Sequence, residues 1–426
     1  MAGKLQALMR KVQKDHGKGS MRKGADLLAQ DIRRIPTGIF VVDYATGGGV
    51  PVGRMTMVYG QKSSGKSSLL AKLAANAQRL CRHCHGPVVT ETKEVTVEQV
   101  RRQPDGTVAN VKVQIPKEIP VDCVNECRVA PESDEEGKKK RAVWPGRMNV
   151  VWIDAEGTFD YKFYTAFGVD CEAVYVVTTD YGEQAIDIAD AVMQTRECDL
   201  LIVDTVAHLV PKVERETSAE EMQVGVQARM VNKALRKWVG TQNELTNQGE
   251  TACTIILVNQ LRQKIGIFPV FVKPGGVGQD FATSVDIQLW QKELKFDTQG
   301  RPLWQDTRFA VEKNKTGIPK MEGRYRICLK EHPGRLPGDT WDDEVTFDAA
   351  TSNGFIEEVT DEKDKGTGRL LVMGREFDDE SALRSEISEK GEFYRTLRGC
   401  VLDLMIGRPS DGRLANNKKK RGEVKI

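Results

Sequence analysis

The segment GQKSSGKSS, from Gly60 to Ser68, fits G-x-x-x-x-G-K-[ST], a pattern whose chemistry is the holding of phosphate. Glycines let backbone amides wrap a β-phosphate, and Lys66 reaches the β- and γ-phosphates. Ser67 supplies a hydroxyl to Mg2+, and a following helix adds its positive end. A Gly/Ser-rich loop can match by chance, so the flanks must decide. Two carboxylates stand at informative places. Asp204 ends the apolar run DLLIVD and suits the holding of Mg2+ through its waters. Glu156, just past NVVWID in the stretch IDAEG, is placed to polarise an attacking water as general base. Acidic residues at strand ends are also ordinary solvated caps, and neither carboxylate settles the matter alone.

A second set of residues has metal-ligand spacing. Cys81 and Cys84 form C-x2-C, and Cys123 and Cys127 form C-x3-C, with 38 residues between the pairs, more than the usual spacing. Two such knuckles read as a closed four-thiolate zinc ribbon, which is structural and gives folding energy to a module too small for its own core. His83 or His85 could replace one Cys, and four unliganded thiols are the remaining alternative. The chain has nine Cys, an odd number that argues against a disulfide framework.

These groups need a scaffold. RMTMVYG, before the phosphate loop, reads as a short buried strand, and SSLLAKLAANAQRL after it as a helix. NVVWID and DLLIVD look like central parallel strands, with the amphipathic GEQAIDIADAVMQT between them. Met222, Val226, Met230, Ala234 and Trp238 recur at four-residue spacing on one helix face, with Thr217 or Ser218 as the expected cap. TACTIILVNQ is another buried-strand pattern, and QKIGIFPVFVKPGGVGQD has no period and reads as a long functional loop. Strands alternating with helices predict an α/β domain on a largely parallel sheet. Residues 81–145 interrupt it with strand-like alternation and the charge-block spacer ESDEEGKKKR.

Composition excludes collagen-like, low-complexity and disordered classes: 39% of the 426 residues are hydrophobic and 29% charged, with 39 Gly against 16 Pro. The length suggests two or three domains. The net charge of +2 names no partner, so any nucleic-acid affinity must be local. No stretch approaches the roughly 20 apolar residues of a spanning helix. The polar start lacks a signal peptide's apolar core, and a cytoplasmic location is expected. The last 14 residues carry six basic side chains against Glu423 and are expected to be disordered.

Taken in order, LMRKVQKDHGKGSMRKG, IPTGIFVVDYATGGGVPVGRM, GQKSSGKSS, WIDAEGTFD, YGEQAIDIADAV, LLIVDTVAHLVPK, ARMVNKALRK, VNQLRQKIG and VEKNKTGIP resemble the RecA-type recombinases. The likeness spans residues 5–80 and 147–330. It implies an α/β fold: a RecA-like P-loop core at 34–80 and 146–341 with a mostly parallel central sheet. Around that core it implies an N-terminal oligomerisation arm at 1–33, an inserted zinc ribbon at 81–145 and a small C-terminal region with a basic tail at 342–426. The implied activity is a DNA-dependent ATPase that forms helical filaments on single-stranded DNA, pairs it with homologous duplex and exchanges strands. Mediator proteins are possible further partners, and ATP, Mg2+ and structural Zn2+ are the expected cofactors.

The resemblance also implies roles for residues. Gly60, Ser63, Ser64, Gly65, Lys66, Ser67, Ser68, Asp204 and Asp160 would contact ATP and Mg2+. Glu156 and Lys66 would act in hydrolysis, and Gln260 would sense the γ-phosphate through its amide. Lys313 and Lys315 would reach ATP in the neighbouring protomer, so that hydrolysis depends on assembly. Arg229, Lys233 and Arg236 share a helix face and, with Arg262, Lys264, Lys273, Gly275 and Gly276, would contact DNA; periodicity alone favours a solvated charge face there, and the resemblance reverses that. Val224 and Ile265 match apolar wedges between bases, and Phe281 matches an interface aromatic.

Several residues depart from the family pattern. Asp280 replaces a usual base beside Phe281, Lys62 a usual acid, and Phe163 a common Tyr. Lys66 and Glu156 are 90 positions apart where roughly 25 suffice. Two rival expectations remain: a ring-forming RecA-fold motor of RadA-like or DnaB-like type, and an ATP-switched mediator that binds single-stranded DNA with little turnover.

Overall fold

The structure is a computed structural model that describes residues 2–17, 19–21, 23, 32–102, 108–128, 144–216, 225–264, 270–360 and 366–407. The chain opens with the helix Ala2–His16 (α1). Behind it Gly19 N donates to Asn247 O at 2.8 Å, and a Cβ at Gly17 would meet the same carbonyl at 2.9 Å, so glycine allows the approach. Arg34–Ile35 (β1) pairs with Val50–Pro51 (β2) around the short helix Phe40–Thr46 (α2).

Met55–Gly60 (β3) leads through the phosphate loop into Lys66–Ala77 (α3). From Ala77 to Asn149 the chain forms a separate compact unit. It holds a long antiparallel ribbon, Val88–Arg102 (β4) with Val108–Cys123 (β5), paired from Val88 opposite Cys123 to Arg102 opposite Val108 with one register shift between Val89 and Thr90. The expected strand-like segments are therefore one hairpin, with a Cys pair before it and another at its return.

The larger unit resumes with Val150–Asp154 (β6), Tyr161–Ala166 (α4), Val174–Val177 (β7), Gly182–Gln194 (α5) and Leu200–Asp204 (β8). Lys212–Glu216 (α6), Val226–Gln248 (α7) and Thr254–Gln260 (β9) follow. The hairpin Arg262–Lys264 (β10) with Val270–Val272 (β11) precedes Gly278–Ala282 (α8). Val285–Phe296 (β12), Pro302–Asn314 (β13) and Met321–Cys328 (β14) complete the sheet. Its order is β14-β13-β12-β3-β9-β8-β6-β7, parallel from β12 to β7 with antiparallel β13 and β14 at one side.

Both faces of the inner parallel strands are covered, which is why β3, β6 and β8 are apolar without alternation and buried throughout, whereas β7 at the edge is exposed at Tyr175 and Val176. One parity, including Val151, Ile153, Leu201, Val203, Ile255 and Leu257, packs with Ala185, Ile186, Ala189 and Met193 of α5 and Val231, Ala234, Leu235 and Trp238 of α7. The register sets Asp154 opposite Asp204 and Gly60 opposite Gln260. The carboxyl ends of four strands thus form one row, the place where such sheets bind ligands.

The helix expected to be capped at Thr217 or Ser218 starts later, at Val226 behind Gly225; Thr217, Ser218 and Met222 lie outside the described residues. Beyond residue 341 come Asp342–Ser352 (α9), the small sheet Ile356–Thr360 (β15), Gly366–Val372 (β16) and Arg375–Phe377 (β17), then Glu380–Ser388 (α10) and Glu392–Met405 (α11). This region shares a core with α2, where Phe40 joins Phe347, Phe355, Phe377, Leu383, Leu397 and Val401. Arg398 of α11 sits 3.3 Å from Asp43 Oδ2 and 3.4 Å from Asp342 Oδ2. The basic tail lies outside the described residues.

Candidate nucleotide and metal sites

After Gly60 the chain turns through Ser63 at φ 60° and Gly65 at φ 92°, and Lys66 opens α3. A Cβ at Gly65 would stand 3.0 Å from Thr307 Oγ1 and 3.1 Å from Gln305 Nε2, so the tight floor and the left-handed φ together favour glycine. Gln305 Nε2 also donates to Ser63 O at 3.2 Å, holding the left-handed turn from β13. Lys66 Nζ donates to Gln61 O at 2.8 Å and Gly60 O at 3.2 Å. Burial pushes its pKa down, while Asp204 and Glu156 pull it up. Ser64 and Ser68 are buried, and Ser67 is exposed at the start of the helix.

The acids form the other side of the site. Asp154 accepts from Gly157 N at 2.9 Å, Thr158 N at 3.1 Å and Phe159 N at 2.8 Å, folding the chain after β6 so that Glu156 is presented at the strand ends. Gln260 Nε2 lies 3.3 Å from both carboxylate oxygens of Glu156. His208 Nδ1 lies 3.9 Å from Glu156 Oε2 and 2.9 Å from Thr205 Oγ1. Burial, then Glu156 and Asp154, push the Asp204 carboxyl up to about 7, against the pull of Lys66. A buried acid so crowded by negative charge is suited to a cation. Asp160 caps α4, accepting from Lys162 N at 2.8 Å and Phe163 N at 3.1 Å.

Lys313 and Lys315 are engaged within their own chain. Lys313 Nζ donates to Asp280 O and, at 2.5 Å, to Thr283 O, and Lys315 Nζ donates to Phe281 O at 2.9 Å. Together they hold the carbonyl end of α8, where Phe281 is 78% exposed. Lys273 pairs with the Asp280 carboxylate, lies 3.8 Å from Asp286 and sits 4.7 Å from the centroid of the Tyr59 ring. It therefore faces inward, and Asp280, the departure from the family pattern, has a cation of its own.

Of the other expected DNA contacts, Arg229, Lys233 and Arg236 are exposed on α7. Arg262 opens β10 and Lys264 closes it. Gly275 and Gly276 have packing reasons to be glycine: a Cβ would come within 2.7 Å of Gln279 Nε2 at the first and 3.2 Å of Ala228 Cβ at the second. Asn259 Nδ2 ties the base of this segment to Pro274 O and Gln279 Oε1, both at 2.9 Å. Val224 and Ile265 lie outside the described residues.

In the smaller unit the ligand atoms of Cys81, Cys84, Cys123 and Cys127 all lie within 4.8 Å of one another, and neither His83 nor His85 belongs to the group. Cys81 and Cys123 are buried. Gly86 N and Asn125 Nδ2 each donate to Cys84 Sγ at 3.3 Å, and Cys127 N donates to Cys123 Sγ at 3.4 Å. Burial raises the Cys84 thiol, but these donors and the neighbouring thiols outweigh it and bring the group down to about 7. Backbone amides aimed at clustered sulfurs suit thiolate ligands.

Asp154, Gln305 and His208 escape a motif search. Asp154 has a faint signal, since it ends its strand in carboxylate like Asp204; the other two become neighbours of the site only through the sheet order and the turn after β8.

The sequence profile of the RecA N-terminal domain matches residues 3–89 and 145–332, leaving out most of the ribbon. "Protein RecA" of Clostridioides difficile is 30% identical over 92% of this chain and 93% of its own length. "Protein RecA" of Picosynechococcus sp. is 30% identical over 78% and 75%, and that of Mycobacterium avium 31% over 76% and 72%.

Proposed function

The chain belongs to the RecA family of ATP-dependent recombinases that act in recombination and repair, and from that membership we propose how its own residues divide the work. It is a DNA-dependent ATPase that assembles as a filament on single-stranded DNA, pairs that strand with homologous duplex and exchanges strands. The observation that carries this reading is the convergence of Lys66, Glu156, Asp204 and Gln260 at the carboxyl ends of adjacent strands.

Lys66 exchanges the carbonyls of Gly60 and Gln61 for phosphate oxygens when ATP enters. Ser67 and Asp204 fit Mg2+, which when bound neutralises charge on the phosphates. Glu156 accepts the proton of the attacking water at its carboxylate, and the Gln260 amide, within reach of Glu156, is free to turn to the γ-phosphate. Lys313 and Lys315 serve ATP held by a neighbouring copy, with exposed Phe281 at that contact. Arg229, Lys233, Arg236, Arg262 and Lys264 bind the phosphates of DNA without reading sequence, as an exchange of any sequence requires. The four thiolates of Cys81, Cys84, Cys123 and Cys127 fit Zn2+, which would supply folding energy at the base of the ribbon.

The test is ATP turnover by the purified chain with and without single-stranded DNA, beside Glu156→Gln. Strong stimulation that the variant loses supports the reading. DNA-independent turnover moves it to a ring motor, and turnover absent from both proteins moves it to an ATP-switched binding protein.

A further inference from the structure

The turn that follows Asp204 is held by two side chains from elsewhere. Gln227, on the first turn of α7, donates from Nε2 to Ala207 O at 3.1 Å and to Leu209 O at 3.2 Å. Arg262, the first residue of β10, donates from Nη2 to Ala207 O at 3.4 Å. His208 stands between the two carbonyls that Gln227 grips. Its Nδ1 is 2.9 Å from Thr205 Oγ1 and 3.9 Å from Glu156 Oε2. At that second distance it meets Glu156 as a neighbour, since a hydrogen bond needs a closer approach.

Val206 and Leu209, on either side, are buried in the core, so the turn has little freedom of its own. Between those two anchors, the grip on the carbonyls of Ala207 and Leu209 orients the peptides on either side of His208. Gln227 is the second residue of α7, the helix that carries the expected DNA contacts Arg229, Lys233 and Arg236, and Arg262 is itself an expected DNA contact at the start of β10. The first turn of α7 and the first residue of β10 therefore both touch this one turn, and His208 within it lies beside Glu156.

We propose that Gln227 and His208 are positioning residues that make the orientation of Glu156 depend on DNA seated against α7 and β10. Occupation of α7 and β10 fixes Gln227 and Arg262, the peptides between the anchored Val206 and Leu209 are held in one orientation, and His208 bounds the space in which the Glu156 carboxylate can point. This route runs beside the contact of Gln260 with Glu156 and rests on the DNA-dependent ATPase reading above.

The experiment is a double-mutant cycle on the full chain with Gln227→Met, which keeps the shape and removes the donor, His208→Gln, and both together. Steady-state ATP turnover is read with and without oligo-dT. DNA binding is read by fluorescence anisotropy with a non-hydrolysable ATP analogue. Each single variant is expected to lose about tenfold in DNA-stimulated kcat, the scale of a displaced catalytic group, with KM for ATP and oligo-dT affinity held within about twofold. The double variant is expected to be no worse than the poorer single, because both break one connection. Gln227→Lys, which restores a donor, is expected to recover part of the loss, as a packing role would not. Multiplying effects, unchanged turnover or failure of the rescue would each overturn the coupling. Unaltered protein with no DNA stimulation would overturn the ATPase reading as well, whereas stimulation untouched by the substitutions overturns the coupling alone.

Discussion

Asp204 shows how a buried carboxyl is set against its surroundings. Its carboxyl is raised to about 7, first by burial and then by Glu156 and Asp154, so without a cation it holds a proton that an unfolded chain would release near pH 4. The folded state binds the extra proton between those values, and stability contributed by this group falls as pH rises from about 4 to about 7. Asp204→Asn should therefore raise Tm more at pH 8 than at pH 5. A cation must displace the same proton, so Mg2+-dependent binding of a fluorescent ATP analogue should weaken as pH falls below about 7, and Asp204→Asn should lose that dependence. Equal affinity at pH 6 and pH 8 in the unaltered chain would contradict it. Asp204, Glu156 and the phosphate loop are legible in sequence because each sits within a few residues of its own strand. His208, Gln305 and the inward turn of Lys273 are not, because their partners are 52, 242 and 7 residues away and only folding chooses among the candidates.

Among the elements, the buried strands are the most readable, since continuous apolar runs ending in polar residues leave few alternatives. The segment after β9, which has no period, contains a short hairpin whose three residue pairs are too few to leave a pattern. The C-terminal region carries no motif, yet α11 is tied to α2 and α9 by Arg398 between Asp43 and Asp342. Arg398→Ala strands two carboxylates, of which Asp43 is already raised by burial and held down by this guanidinium. The expected loss is about 2–3 kcal/mol in urea denaturation, under the full value for a buried pair because the Arg398 side chain is 19% exposed. The Cys knuckles were legible as spacing, but the donors from Gly86 and Asn125 were not. Metal analysis should find one Zn2+ per chain, and Cys84→Ser with Cys127→Ser should remove it and speed proteolysis of the ribbon. Retention of the metal by that double variant would contradict the four-thiolate site.

At the scale of the whole molecule the near-zero net charge conceals local asymmetry, such as the exposed bases of α7 and the isolated aromatic of α8. Phe281 lies open on the surface, so Phe281→Ala should leave the thermal stability of the single chain within about 0.5 kcal/mol. The same change should shorten the filaments seen by electron microscopy with ATP and single-stranded DNA; filaments of undiminished length would place the contact between copies elsewhere. The smaller unit has a different bearing on the chain's history. Just inside its two ends, Met148 N–H donates to Leu80 O at 2.9 Å and Cys81 forms a β-bridge with Arg147. Doorway and exit are one place, so everything between them is a cassette whose size hardly matters to the ends it joins. Closure entropy grows only with the logarithm of length, and lineages could lengthen, trim or exchange this insert without renegotiating the strands on either side.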